Sequence, residues 1–337
     1  MGALSVIDDG GSMFKSGICL LMFFALVLIS CGNDNPKTDA RKSDFKFCVL
    51  SHGSFTDEGA NQRYYEAIQT IAKRRKLNVQ YYDNVKSNAV ETCINGNPNV
   101  KYDFVIAMGQ QLIAPLIRIS SSHPQLKTAI VGQYPGNFKN FGALSYQPSH
   151  HYLAGVVAAL KSKNGRIGAL ITSDQLHARG EMNAFFEGAR KVNPDILSYS
   201  VSVGELDNKN MVERYAMGMK DNMVDVIFVN CGSAGTDIYA WGAKNKIMTI
   251  GSIDDQHAKA PHWVVASVVT NYDKMLSYAV DLMLKGQWQG IQYRFGMAEK
   301  ATDIAPLRGT LKNWNEDRFY EIYREIAEQK GEIENAN

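Results

Sequence analysis

Four things are scarce in this chain of 337 residues, and each scarcity removes a class of protein. There are five cysteines, too few at this length for a disulfide scaffold, and no CxxC or Cys/His spacing points to a metal. There are nine prolines against 28 glycines, which fits neither collagen nor a proline-rich linker protein. The formal net charge is only +2, so there is no overall basic signature for nucleic acid. No phosphate-loop pattern occurs, and neither Gly109 nor Gly232 lies in a GxGxxG fingerprint. The composition is otherwise ordinary for a globular chain, and the length suits two domains.

The longest apolar run, 17–29, is too short to cross a bilayer comfortably, which takes about 20 residues. With Lys15 ahead of it, it has the charge and length of a signal peptide. It ends in Leu28-Ile29-Ser30-Cys31-Gly32, which resembles the bacterial lipobox. That resemblance implies cleavage before Cys31 and lipid attachment on it. Asp8 and Asp9 do not suit a basic leader start, and Met13 makes a better one. Residues 1–30 are therefore expected to be a signal peptide and 31–44 a polar tether.

The segment 51–62 organises the rest. It is polar and glycine-punctuated, it follows an apolar run at 45–50, and it precedes an amphipathic stretch at 60–76. There Tyr64, Ala67, Ile68, Ile71 and Ala72 recur at helical spacing. A loop between a first strand and a first helix is where open parallel sheets bind ligands. The same unit then repeats. Strands are predicted at 78–82, 103–108, 127–131 and 141–146, and, after a break near 146–150, at 166–171, 196–203, 224–230, 247–250 and 263–268, the last clear one. Helices are predicted at 87–95, 111–120 (kinked or short because of Pro115), 149–163, 177–192, 209–221, through Ala240, 272–285 and 314–330. Strand–helix alternation means βαβ units, so the expected fold class is α/β, two doubly wound parallel-sheet lobes with a cleft between them.

Cys48 and Cys231 lie in strand-like runs and read as buried small hydrophobes, while a Cys48–Cys93 bridge stays open. His150 and His151 do not read as a metal pair, because neighbours on a helix diverge by about 100°. No Ser/His/Asp, Cys/His or paired-carboxylate arrangement appears at strand ends, so no enzyme, cofactor or metal is expected.

Six blocks in order carry a family resemblance. They are Gly53 through Gln62; Tyr152-Leu153-Ala154-Gly155; Phe186-Glu187-Gly188-Ala189 through Val192-Asn193-Pro194; Val224-Asp225-Val226-Ile227-Phe228; Gly251 with Asp255-Gln256; and Ala266-Ser267-Val268. The chain resembles the basic membrane protein family of substrate-binding lipoproteins, whose best-understood type is the purine nucleoside receptor of an ABC importer. The resemblance implies a type I periplasmic-binding-protein fold with three crossovers. Lobe 1 is expected at 45–146 plus 271–300, and lobe 2 at 147–270 plus 301–337. It further implies a nucleoside-like ligand held by lobes that close by hinge motion, an ABC permease and ATPase as partners, a monomer, and a lipid-anchored place in the bacterial envelope. The alternatives left open are a surface lipoprotein that binds host molecules or acts as an antigen, and a ligand that is not a nucleoside.

The residues expected at the ligand are Phe55, Asp57 and Asn61 in the first loop, Gly109, Gln110 and Tyr134 at later strand ends of lobe 1, and Gly232, Ser233, Asp254 and Asp255 in lobe 2. Each has a plainer role beside the sharp one. Asp57 can cap a helix, Phe55 can be core, Asn61 can be an exposed helix start, Tyr134 can shape a turn, and the two aspartates can cap the next segment. Four positions depart from the family's pattern. Ala60 stands at its stacking aromatic, Gly132 and Ile253 at two aspartates, and Thr270 at its ribose lysine. Tyr134 and Trp241 are the candidate replacement aromatics.

Overall fold

The computed structural model describes residues 45–172, 176–204 and 209–328. Cys31, the signal segment and the tether lie outside them. Lobe 1 is a six-stranded sheet in the order β11-β5-β4-β3-β1-β2, all parallel. Its strands are β1 (Lys46–Ser51), β2 (Asn78–Tyr82), β3 (Phe104–Met108), β4 (Lys127–Val131), β5 (Phe141–Tyr146) and β11 (Gln292–Phe295). Its helices are α1 (Ala60–Arg75), α2 (Val90–Asn95), α3 (Ile113–Ser122) and α8 (Tyr272–Leu284). The central strands are buried on both faces, so they read as unbroken apolar runs. Phe47, Val49, Phe104 and Ile106 face α1 and α8, while Cys48, Leu50, Val105 and Ala107 face α2 and α3.

Lobe 2 repeats the plan in the order β12-β10-β9-β8-β6-β7. It contains β6 (Arg166–Ile171), β7 (Leu197–Ser202), β8 (Val226–Asn230), β9 (Met248–Gly251), β10 (Val264–Thr270) and β12 (Thr302–Ile304), with β12 antiparallel to β10. Helices α4 (Ser149–Lys161), α5 (Leu176–Val192) and α9 (Trp314–Ala327) cover one face, and α6 (Lys209–Asp221) and α7 (Ile238–Asn245) the other. Helices α4 and α5 touch backbone to backbone. A Cβ on Gly188 would sit 1.9 Å from the Tyr152 carbonyl oxygen, so only glycine fits there.

The chain passes between the lobes three times, after β5, after β10 and after β11. The sequence reading stopped at the strand ending at Val268 and missed both β11 and β12. Of the two outcomes expected at Pro115, the short helix is found: α3 has ten residues. Pro115 is the third residue of α3, where a backbone N–H has no intrahelical acceptor to lose. Cys48, Cys93 and Cys231 are free thiols, so the Cys48–Cys93 bridge left open above is not formed.

Candidate functional site

The helix that follows β1 and the end of β5 in lobe 1, and the loop after β9 in lobe 2, lie at contacts between the lobes. The first loop of lobe 1 is tightly self-bonded. Asp57 caps α1, its Oδ1 accepting the N–H groups of Gly59 (2.8 Å) and Gln62 (3.0 Å). Its Oδ2 accepts the Asn61 amide at 2.7 Å, and Asn61 Oδ1 in turn accepts the Ser51 hydroxyl at 2.8 Å. Gly53 is needed for this closeness, since a Cβ there would lie 2.4 Å from Asn61 Nδ2. Phe55 turns one face onto Tyr65, with centroids 4.3 Å apart, and its edge toward Tyr81, so the ring is part of the lobe's own packing.

At the next strand ends, Gly109 has φ +121° and packs against His52. Gln110 lies beside Gly132, whose Cβ position would be 3.3 Å from its Nε2. Tyr134 stacks on Phe141 at 4.5 Å, and Trp241 is buried in the core of lobe 2. Trp241 is therefore a packing residue, as its place on a helix favoured.

In lobe 2, Gly232 and Ser233 open a short 3-10 turn after β8. The two aspartates part company. Asp255 accepts from Arg308 and from the His257 N–H, both within lobe 2. Asp254 reaches across to lobe 1 and pairs with Arg63 at 2.8 Å. The backbone that aims it is strained. Ile253 has φ +73°, and Asp254 N–H donates to the Ser252 carbonyl oxygen at 2.8 Å, a γ-turn of the rare positive-φ kind. A β-branched residue there is a genuine outlier, and strain of this sort gathers at clamps and switches. The turn packs Ile253 against the core of lobe 1, and a groove of about 650 Å³ runs past it between α1 and the start of α8.

A second inter-lobe contact lies at the hinge end, and sequence reasoning missed it. Glu181 of α5 is only 5% exposed. Tyr146, the last residue of β5, donates to its Oε1 at 2.6 Å, and Asn230, the last residue of β8, donates to its Oε2 at 2.7 Å. His151 Nε2 lies 3.7 Å from the same carboxylate, and the His150 and His151 rings pack with centroids 4.1 Å apart. The two rings do not diverge as the helical argument required: both are buried at the start of α4 and lie in contact. Among the described residues no group of three His, Cys, Asp or Glu could hold a metal. Burial first, and then the Glu181 charge, push the Tyr146 phenol well above its ordinary range. Burial likewise raises Tyr272, with Glu181 and Asp57 adding to it. A signal for Glu181 was present in the sequence. It falls on the stripe of Ala178, Phe185 and Ala189, where a polar face has no place for it.

These groups clasp one lobe to the other. Burial drives the Cys231 thiol up to about 12, so it is no nucleophile at neutral pH. No helix among the described residues is long and apolar enough to cross a membrane.

Comparison with known proteins agrees with this architecture. The chain is 26% identical to Basic membrane protein C of Borreliella burgdorferi, over 95% of this chain and 96% of that one. It is 23% identical to the ABC transporter nucleoside-binding protein BmpA of Lactococcus lactis subsp. cremoris, over 78% and 82%. Among solved structures, an ABC transporter solute-binding protein from Aeropyrum pernix K1 superposes with a TM-score of 0.67 at 16% identity, covering 83% and 85% of the two chains. The family model for PnrA-like ABC transporter substrate-binding proteins matches residues 45–335. The chain belongs to that family, the Bmp family of ABC transporter substrate-binding proteins.

Proposed function

We propose that this protein is the solute-binding lipoprotein of an ABC importer, anchored through Cys31, and that it holds a nucleoside-like ligand between its lobes. Family membership implies a small-molecule ligand and a permease and ATPase as partners, and solute-binding proteins of this kind work outside the cytoplasm. The observation that carries the proposal is the convergence of strand-end loops from both lobes, joined by Arg63–Asp254 on one side and Tyr146–Glu181 on the other. That is the arrangement of a clamp that closes by hinge motion. Phe55, Asp57, Asn61, Gly109, Gln110, Gly232, Ser233 and Asp254 are the proposed contacts, while Asp255, held by Arg308, has the weaker claim. The nucleoside assignment is supported by the name of the Lactococcus relative. The substituted positions Ala60, Gly132, Ile253 and Thr270 argue for a ligand held differently from a common purine nucleoside.

A thermal-shift screen of the 32–337 protein, stripped of ligand by unfolding and refolding, tests this. A ligand at about 1,000 times its Kd adds about 4 kcal/mol. At roughly 2–4 °C per kcal/mol, that is a clear rise with at least one nucleoside. A response to sugars alone removes the nucleoside assignment.

A further inference from the structure

All six strands of lobe 1 are parallel, so their first residues lie on one side of the sheet, away from the strand ends proposed to hold the ligand. That side is basic. Lys46 and Lys127 are the first residues of β1 and β4, and the exposed Lys76, Lys101 and Lys139 stand two or three residues ahead of β2, β3 and β5. None of these lysines forms an ion pair among the described residues. Of the acids close by, Asp103 accepts the Lys46 backbone N–H at 2.9 Å, and Asp281 is paired with Arg75. A cation behind a helix complements its dipole, which accounts for Lys76 after α1. Lys101, Lys127 and Lys139 stand at strand starts, where the backbone dipole is small.

Phe138 lies among these lysines, three residues ahead of β5. It is 77% exposed, and no large apolar side chain among the described residues is more so. Its φ of +58° is unusual for an aromatic residue. The loop that holds it is braced. Phe138 N–H donates to the Gly290 carbonyl oxygen at 2.8 Å, and Asn137 Oδ1 accepts the N–H groups of Lys139, Asn140 and Phe141. A fixed aromatic ring bare to solvent beside cations has the chemistry of a membrane-interface anchor. Cys31, the proposed lipid site, precedes Lys46 by 15 residues. A chain of that length reaches at most about 50 Å, so a lipid there brings this side of lobe 1 to the bilayer first. Lobe 2 has a rival pairing in Lys163 and Lys312 with Trp314, which is 67% exposed beside the end of α4, but the chain reaches it only through lobe 1.

We propose that the strand-start side of lobe 1 docks on an anionic bilayer surface, its lysines against the headgroups and Phe138 inserted between them. The inference rests on the reading above that Cys31 is lipidated.

Flotation of the 32–337 protein, which keeps every described residue, with lipid vesicles tests it. Wild type is expected to bind phosphatidylcholine vesicles containing about 30% phosphatidylglycerol at least tenfold more than phosphatidylcholine alone, and to lose that preference in about 0.5 M salt. Each lysine near such a surface contributes about fivefold, so Lys101→Gln, Lys127→Gln and Lys139→Gln together lower binding by about 100-fold. Phe138→Ser lowers it by roughly tenfold, while Phe138→Leu stays within about threefold of wild type. Lys163→Gln, Lys312→Gln and Trp314→Ser together leave binding within about threefold of wild type. Equal binding to both kinds of vesicle overturns the proposal whether or not any variant folds. So does a lobe 2 variant that loses as much as the lobe 1 triple variant. Palmitate labelling of the full chain in a bacterial host, wild type against Cys31→Ser, decides the anchor separately. Vesicle preference without a label removes the anchor and keeps the docking surface; a label without vesicle preference keeps the anchor and removes the surface.

Discussion

Two of the contacts between the lobes are almost equal in length: 2.6 Å from Tyr146 to Glu181 at the hinge end, and 2.8 Å from Arg63 to Asp254 at the rim. Their surroundings are opposite. Glu181 is 5% exposed, whereas the side chains of Arg63 and Asp254 are 42% and 46% exposed. Buried, a lost partner leaves a polar group with no water to replace it, while at the rim water and salt take over at once. Distance therefore barely separates these contacts, whereas burial is expected to set them well apart.

The comparison can be broken by removing each contact in turn. Glu181→Ala removes the buried acceptor of the Tyr146 hydroxyl and the Asn230 amide, and is expected to cost about 2–5 kcal/mol in urea denaturation. A cost under about 1 kcal/mol would mean the hinge is wetter than its burial implies. Tyr146→Phe keeps the carboxylate and removes one donor, for a loss of about 1–3 kcal/mol by the same assay. Asp254→Ala at the rim is expected to cost no more than about 1 kcal/mol, and the difference from wild type should shrink in 1 M salt, where the Debye length is about 3 Å. A rim loss as large as that of Tyr146→Phe would overturn the ranking.

The smallest effect concerns pH. Hydrogen bonds from Gln62 and Arg63 hold the exposed Glu66 carboxyl below its ordinary value of 4.5. Its folded pKa is depressed, so its contribution is fully present above 4.5 and is lost as the pH falls through the lower folded value. Glu66→Gln should flatten that acid limb slightly in thermal melts across pH 3–6, and should leave the melting point near pH 7 almost unchanged.

Most of the sheet was legible because strands buried on both faces leave unbroken apolar runs, as at Phe104–Met108 and Val226–Asn230. The crossing strands were not. Gln292–Phe295 has four residues, only two of them buried, and Thr302–Ile304 has three, so neither yields a period to read. The first loop stood out in the sequence because Asp57 and Asn61 lie together between a strand and a helix. The hinge contact did not, since Tyr146, Glu181 and Asn230 are 35 and 49 residues apart and only folding brings them together. Arg63 read as one more charge on the solvated face of α1, and nothing local in the sequence announces that Ile253 turns Asp254 toward it.

Strand β11 has a consequence for how the protein is made. It completes the sheet of lobe 1 beside β5, yet Gln292 follows Ser145 by 147 residues. At roughly 5–20 residues per second, the edge of β5 waits on the order of ten seconds or more for its neighbour during synthesis. All of lobe 2 except β12 and α9 emerges in that interval. Neither lobe can close its sheet until the chain is nearly finished, so the two halves reach the folded state together, late, rather than one after the other.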